Sequence, residues 1–169
     1  MYEALARTVL LEEDAKVARE VDRVRSRHPR FSDAEVVGRL TEGAAWRCAA
    51  VAAIVSAGQP LLGRLATTAD LSFQTLSLSR MALSIGHARR RPMTVVERGL
   101  AAGASLVLAG AAAAVRTAAG RGARSALRRK PELAPIVTAL VGGAVAYVSA
   151  RLLGRAVEEF LGNHPRRRR

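Results

Sequence analysis

Three long runs without a charged side chain dominate this sequence, at about 48–63, 99–115 and 133–150. They are rich in Ala, Gly, Leu and Val, and only 4% of all residues are aromatic although half are apolar. Small aliphatic side chains favour close packing of helices, and no strand-like alternation of polar and apolar residues interrupts the runs. The sequence therefore predicts an all-α protein, a compact bundle of about five helices with an N-terminal amphipathic helical arm.

The charges are distributed unevenly around these runs. Residues 1–42 carry eight basic and nine acidic side chains, whereas residues 43–169 carry nineteen basic and only five acidic ones. A body that is both apolar and cationic suggests an anionic partner at an apolar boundary, and a lipid headgroup layer is the first expectation. Nearly all the basic residues are Arg, which a GC-rich genome explains at least as well as selection for guanidinium chemistry.

Turn and capping signals divide the chain. Residues 1–30 form the arm, which ends at Pro29 because the residue before a proline avoids the α conformation. Ser32 and Glu35 form a capping-box pattern that starts a helix at Asp33. Thr67 with Asp70, and Thr94 with Glu97, repeat the capping pattern more weakly. With the turn signals they predict helices at 33–57, 68–87, 95–119 and 131–161, and breaks at Gly58-Gln59-Pro60 and at 120–122. The helical domain covers 31–161, and the Arg-rich tail 162–169 is expected to be disordered.

The last two apolar runs allow more than one interpretation. At seventeen and eighteen residues they are at the lower limit for crossing a bilayer. Basic residues flank both ends of each, so the positive-inside rule gives no orientation. Buried core helices, a membrane-inserted hairpin and an intermediate arrangement are all open.

Small residues recur every four positions along the last helix. The ridge consists of Gly142, Ala146, Ala150 and Gly154, and Gly99 and Gly103 repeat the spacing on the preceding helix. Such ridges let two backbones approach closely. We expect the ridge to contact Gly99 and Gly103 within one chain, with a homo-oligomer interface as the alternative, and we expect Gly143 to lie off the ridge.

One side of the predicted helix 68–87 carries a polar line. Asp70, Gln74, Ser77 and Ser84 share that side. The pattern alone favours a solvent-exposed face over a buried network.

The order of these features resembles the EcsC-like proteins of bacteria, over about residues 28–161. The resemblance is carried by Ala69-Asp70-Leu71 with Gln74 and Gly86, and by Pro135-Ile136-Val137 with Gly142-Gly143, Tyr147, Gly154-Arg155 and Phe160. The sequence is also similar, more distantly, to the helical membrane domain attached to some bacterial GTPases.

This resemblance implies a compact, membrane-associated helical protein without established catalytic activity, linked in some species to a transporter operon. It implies that Asp70 and Gln74 form an inward-facing polar pair and that Pro135, Gly142, Gly143 and Gly154 belong to the final packing helix. The Gln59-Pro60 turn, Val145-Ala146 before Tyr147 and the Arg tail depart from the family pattern.

Catalytic motifs are missing from the sequence. It has no GxSxG, no Walker loop and no Cys/His set with metal spacing. Cys48 lies in an apolar stretch and is expected to be a buried small hydrophobe. We therefore expect no enzyme activity, no metal and no cofactor.

Clusters of basic residues remain to be explained, and we expect them to contact an anionic membrane surface or a membrane protein partner. The residues are Arg89, Arg90, Arg91, Arg124, Arg128, Arg129, Lys130, Arg166, Arg167, Arg168 and Arg169. A nucleic-acid-binding protein is the main alternative, although no aromatic residues are interleaved with the clusters to stack on bases. A soluble helical scaffold or oligomerisation module is another. The acidic N-terminus does not resemble a signal peptide, so we expect a cytoplasmic protein, peripheral to or inserted in the cytoplasmic membrane.

Overall fold

The computed structural model describes residues 2–128 and 130–163, without the side chains of 2–13, 59–67, 124 and 163. Within these residues the fold consists of four α-helices and one 3-10 turn. In chain order they are α1 (Tyr2–Arg27), α2 (Asp33–Ala88), α3 (Val95–Ala126), the 3-10 turn (Pro131–Leu133) and α4 (Ala134–Asn163). The described residues contain no strand, and the predicted all-α class is confirmed.

Two capping boxes fix the starts of α2 and α3. The Ser32 hydroxyl accepts a hydrogen bond from the Glu35 backbone amide, and the Glu35 carboxylate accepts one from the Ser32 amide at 2.7 Å. This hydroxyl and amide of Ser32 lower the pKa of Glu35. Thr94 and Glu97 form the same reciprocal pair at the start of α3. Both boxes were predicted because they depend on residues three positions apart.

The long helix α2 folds back on itself. Gln74 Nε2 donates to the carbonyl oxygen of Cys48 at 3.0 Å, although a straight helix would separate these residues by roughly 39 Å. At the ends of α2, one guanidinium, that of Arg25, donates to both Asp33 Oδ1 and the Ala88 carbonyl. The chain therefore reverses midway, near residues 60–61.

The helix boundaries that the sequence predicted within residues 33–88 are partly wrong. Helical residues continue from Asp33 to Ala88, so the predicted ends at 57 and 68 and the weak capping pattern at Thr67 do not describe the backbone. The reversal nevertheless lies beside the predicted Gly58-Gln59-Pro60 break. Proline lacks an amide hydrogen and clashes with the preceding helical turn, which explains a sharp bend there.

Both arms of α2 pack with α3 and α4 as an antiparallel bundle. The first arm, residues 33–59, contacts α4 most extensively, while the second arm, 62–88, leads through a short connector into α3. The predicted end of α3 at 119 is wrong, since the helix passes through Gly120-Arg121-Gly122 to Ala126. Pro135 lies in the first turn of α4, as predicted.

α1 docks across the end of the bundle where α2 begins and ends. Val17 and Val21 are buried in the common core, and Asp14 contacts His87 Nε2 at 2.9 Å and Arg98 at 3.0 Å. Burial by itself raises the pKa of Asp14, but the hydrogen bonds and positive charges of His87 and Arg98 outweigh it and lower the pKa. The N-terminal arm, α1, is therefore held on the bundle by both apolar contact and ion pairs.

Candidate functional site

A polar cluster lies inside the bundle, between the two arms of α2 and α3. Asp70 and Gln74 are each 2% exposed, so they face inward as the EcsC-like resemblance implied and not outward as the pattern alone favoured. Asp70 Oδ1 accepts a hydrogen bond from Gln74 Nε2 at 3.2 Å, and its other oxygen forms an ion pair with Arg116. Gln74 also binds the Cys48 carbonyl. The cluster thus joins three helical segments.

Arg116 is the member of this polar cluster that the sequence pattern did not reveal. Its side chain is 6% exposed, and its Nη1 has no hydrogen-bond partner among the described residues. A buried charge is expensive unless it is paired, so the Asp70 carboxylate is what makes this position tolerable. The available signal was a single Arg after seventeen charge-free residues on α3, which calls for a buried acidic partner.

Small residues on α4 allow close helix contact, but with a different partner from the one expected. A Cβ built on Gly154 would lie 2.6 Å from Thr41 Cγ2, and one on Gly142 would lie 3.1 Å from the Ala52 carbonyl. Both contacts belong to the first arm of α2. A Cβ on Gly99 or Gly103 meets nothing within 4 Å.

The predicted contact between the α4 ridge and Gly99 and Gly103 is therefore wrong. Ala146 and Ala150 are buried, in agreement with their place on the ridge. Gly143 is not free of contacts either, because a Cβ there would lie 3.2 Å from the Ala49 carbonyl. Spacing identified the small face of α4 but could not select the facing helix.

The predicted anionic-surface cluster at 89–91 is divided by the fold. Arg91 donates to the Leu161 carbonyl at 2.7 Å and to Glu97 at 2.8 Å, so its guanidinium binds groups of the protein itself. Arg89 is exposed and pairs with Glu158. Arg90 has a left-handed backbone (φ 54°), and its side chain is 76% exposed and forms a long ion pair with Asp33 Oδ2 at 3.8 Å. Arg91 and Arg89 thus link the ends of helices, and Arg90 is the most exposed of the three.

The second basic cluster lies in the connector between α3 and α4. Arg128 and Lys130 are exposed there. The other predicted residues, the side chain of Arg124 together with Arg129 and Arg166, Arg167, Arg168 and Arg169, lie outside the described residues, as does the expected disorder of the tail beyond Asn163.

An apolar groove of about 670 Å³ runs between the first arm of α2 and α4. At one end, the rings of Trp46 and Tyr147 meet at 5.3 Å between centroids and 59° between planes. Beyond them, Tyr147 Oη donates to Glu42 at 2.9 Å and Arg151 Nη1 donates to the same carboxylate at 2.6 Å. The groove therefore has an apolar body and one polar end.

In the part of the chain that the structure describes, two helices are long and apolar enough to cross a membrane, Val95–Ala123 and Pro131–Gly162, with mean hydropathy of 1.5 and 1.8. Only 17% and 33% of their most apolar windows are buried in the protein. No known protein family matches this chain, and no curated protein or solved structure resembles it significantly. The EcsC-like resemblance therefore stays a prediction, and the site must be interpreted from its own geometry.

Proposed function

We propose that this chain is a non-catalytic, membrane-associated helical protein of the cytoplasmic membrane. In this proposal the α3–α4 hairpin enters the bilayer and exposed basic residues at its ends contact anionic lipid headgroups. The observation that carries the proposal is the exposure of the two most apolar helices.

Large aliphatic side chains cover the outer faces of both helices. Those that are at least half exposed are Val95, Val96, Leu100, Leu106, Val107 and Val115 on α3, and Ile136, Leu140, Val148 and Leu152 on α4. Single exposed hydrophobic residues are ordinary, but a continuous apolar face of this extent marks an interaction with a membrane or a partner. A core helix would bury most of its apolar window, and these helices do not.

The lengths of the charge-free faces suit a bilayer. Residues 133–150 extend roughly 27 Å as a helix. On α3, the segment 99–120 has a single charged residue, Arg116. Because Arg116 is buried, the outer face of the segment is charge-free over roughly 33 Å. A hydrocarbon core is about 30 Å thick. Each helix can therefore cover that thickness without exposing a charge to lipid.

The buried ion pair is consistent with the same environment. Ionisable residues within membrane segments face the protein interior and pair with one another. Asp70 and Arg116 do both, and the pair is electrically neutral. The outer faces thus stay apolar although α3 contains a charge midway.

Exposed cations lie at both ends of the hairpin. Arg90 is near the start of α3, and Arg128 and Lys130 are at its far end. A basic residue near an anionic membrane surface contributes about 1 kcal/mol to binding. The ends can therefore contact phosphates while the apolar faces contact acyl chains.

Vesicle flotation of the full chain tests this proposal, with phosphatidylglycerol vesicles compared with phosphatidylcholine vesicles at low salt. We expect stronger association with phosphatidylglycerol, and retention in cell membranes after high salt and alkaline carbonate washes. Release of the protein from membranes by carbonate contradicts insertion into the bilayer. Equal association with the two lipids contradicts attraction to anionic headgroups.

A matched pair of variants separates local charge from net charge. Arg128→Gln with Lys130→Gln should weaken association with phosphatidylglycerol about tenfold or more, since two headgroup contacts are lost. Arg23→Gln with Arg27→Gln removes the same charge from exposed positions on α1 and should change it much less. Equal effects would mean that only net charge matters, and release of the protein by nuclease would favour the nucleic-acid alternative.

A further inference from the structure

The groove between the first arm of α2 and α4 has a floor of unusually small residues. Ala49 and Ala53 face Gly143 and Ala144 across it, and larger side chains rise only at its edges. The contact between Gly143 and the Ala49 carbonyl brings the two backbones close, so the slot between the helices is shallow and smooth. Its volume of about 670 Å³ is within the usual range for a small-ligand site.

The two ends of the groove differ in chemistry. One end, near Leu140, opens onto the charge-free part of α4. At the other end lies Trp46, 62% exposed, which packs against Tyr147. Trp and Tyr prefer the level where hydrocarbon meets headgroups. The aromatic pair therefore marks a boundary between the apolar slot and the charged part of the protein.

Basic side chains continue the same faces past the aromatic pair. Arg151, one turn after Tyr147, shares Glu42 with the tyrosine hydroxyl. Arg39 and Arg155 lie about one to two turns further along their helices, are exposed and form no ion pair among the described side chains. The contact of Thr41 with Gly154 places the two arginines at the same level of the bundle. Three guanidinium groups and the Glu42 carboxylate lie within about two turns of the aromatic pair, whereas Glu35 and Glu159 lie one turn beyond Arg39 and Arg155.

We propose that the groove binds one acyl chain of an anionic phospholipid, with the lipid phosphate held at Arg39 and Arg155. This inference rests on the proposed membrane association and assigns a specific site to it. A smooth apolar slot, an aromatic pair at its mouth and a cationic end beyond match the order of tail, ester region and phosphate in a phospholipid. An occupant that contacts both ends of the groove must have an apolar part and an anionic part, and a wholly apolar ligand lacks the second.

Trp46 provides a direct probe, because it is the single tryptophan of the chain. The 169-residue chain in detergent is titrated with phosphatidylglycerol that carries brominated acyl chains, which quench a tryptophan in contact with them. We expect saturable quenching at about one lipid per chain. The equivalent phosphatidylcholine should bind about fivefold more weakly, because its choline cation offsets the charge of the phosphate and is repelled by the two arginines.

Two alanine positions supply a matched pair of variants. Ala144→Phe fills the groove, whereas Ala104→Phe adds the same bulk to an exposed position of α3. The Ala144→Phe variant should bind the brominated lipid about tenfold more weakly, so that its quenching no longer saturates over the same concentration range. The Ala104→Phe variant should keep the saturable quenching of the unsubstituted protein. Circular dichroism checks that both are folded, and Ala50→Phe, on the α2 wall, supplies a second groove variant. Arg39→Gln with Arg155→Gln should abolish the preference for phosphatidylglycerol without abolishing quenching.

The outcomes separate this inference from the proposed function. Equal quenching in the Ala144→Phe and Ala104→Phe variants, or quenching that never saturates, overturns the groove site even if the protein still floats with vesicles. Failure of the wild-type protein to associate with membranes overturns the proposed function. A preference that survives loss of both arginines overturns the phosphate position alone.

Discussion

Gly154→Ala on α4 is the sharpest test of the packing between α4 and the first arm of α2. The new methyl group would lie 2.6 Å from Thr41 Cγ2, well inside van der Waals contact. Thr41 is buried and β-branched, so its side chain cannot rotate away cheaply. Overpacking of this kind costs about 1–3 kcal/mol. Replacing a helical Gly by Ala recovers about 1 kcal/mol, so we expect a net destabilisation of about 1 kcal/mol.

Gly103→Ala provides the matched control on α3. A Cβ there meets nothing within 4 Å, so only the helix-propensity gain applies and the variant should be more stable by up to about 1 kcal/mol. The two variants should therefore differ by about 2 kcal/mol in thermal or denaturant unfolding followed by circular dichroism.

A compensating substitution locates the cause. Thr41→Ser removes the clashing methyl group and keeps the hydroxyl, so Gly154→Ala should cost clearly less in that background. A double-mutant cycle measures this coupling. If Gly154→Ala is as stable as Gly103→Ala, or if the cycle shows no coupling, the close contact between α4 and α2 is refuted.

Two further predictions concern the buried and peripheral ion pairs. Asp70→Asn should destabilise the protein by about 3–5 kcal/mol because Arg116 is left as an uncompensated buried charge, and Asp70→Leu with Arg116→Leu should recover most of that loss in the same unfolding assay. Asp14→Asn should lower the melting temperature at neutral pH. Since the folded-state pKa of Asp14 is lowered, its stabilising contribution is present above pH about 4 and is lost as the pH falls through the folded-state value, so the difference between variant and wild type should shrink there.

Each of these has an outcome that contradicts it. A paired Leu variant no more stable than Asp70→Asn would mean that Asp70 acts by more than neutralising Arg116. A melting difference for Asp14→Asn that is constant from neutral to strongly acidic pH would exclude the ion pairs with His87 and Arg98 as its source. Asp22→Asn, exposed on the same helix, serves as the control.

Local signals in the sequence predicted local structure well. The boxes at Ser32 and Thr94 need only residues three positions apart, and both are present. The break predicted at Gly58-Gln59-Pro60 lies beside the reversal of α2, although the helical run does not end there. Such features depend on a few neighbouring residues, so the sequence carries them directly.

Features that depend on distant parts of the chain were not predicted from periodicity. Spacing showed that Gly154 lies on a small face, but its partner Thr41 is selected by the order of the helices in the bundle. The polar side of the second α2 arm resembled a solvent face because its partner, Arg116, lies 46 residues away. Likewise, Arg91 appeared to belong to a surface cluster until the fold brought the Leu161 carbonyl to it.

The ion pair of Asp70 with Arg116 has a consequence for the order of events during synthesis. Arg25 closes the two ends of α2 with contacts that all lie before residue 89, so the α1–α2 unit can assemble while α3 is still being made. That unit would contain a carboxylate facing its interior without a cation until residue 116 emerges. We therefore expect fragments that end before α3 to be poorly folded. The part of the chain that is translated first should become fully folded only when Arg116 has been made and pairs with Asp70.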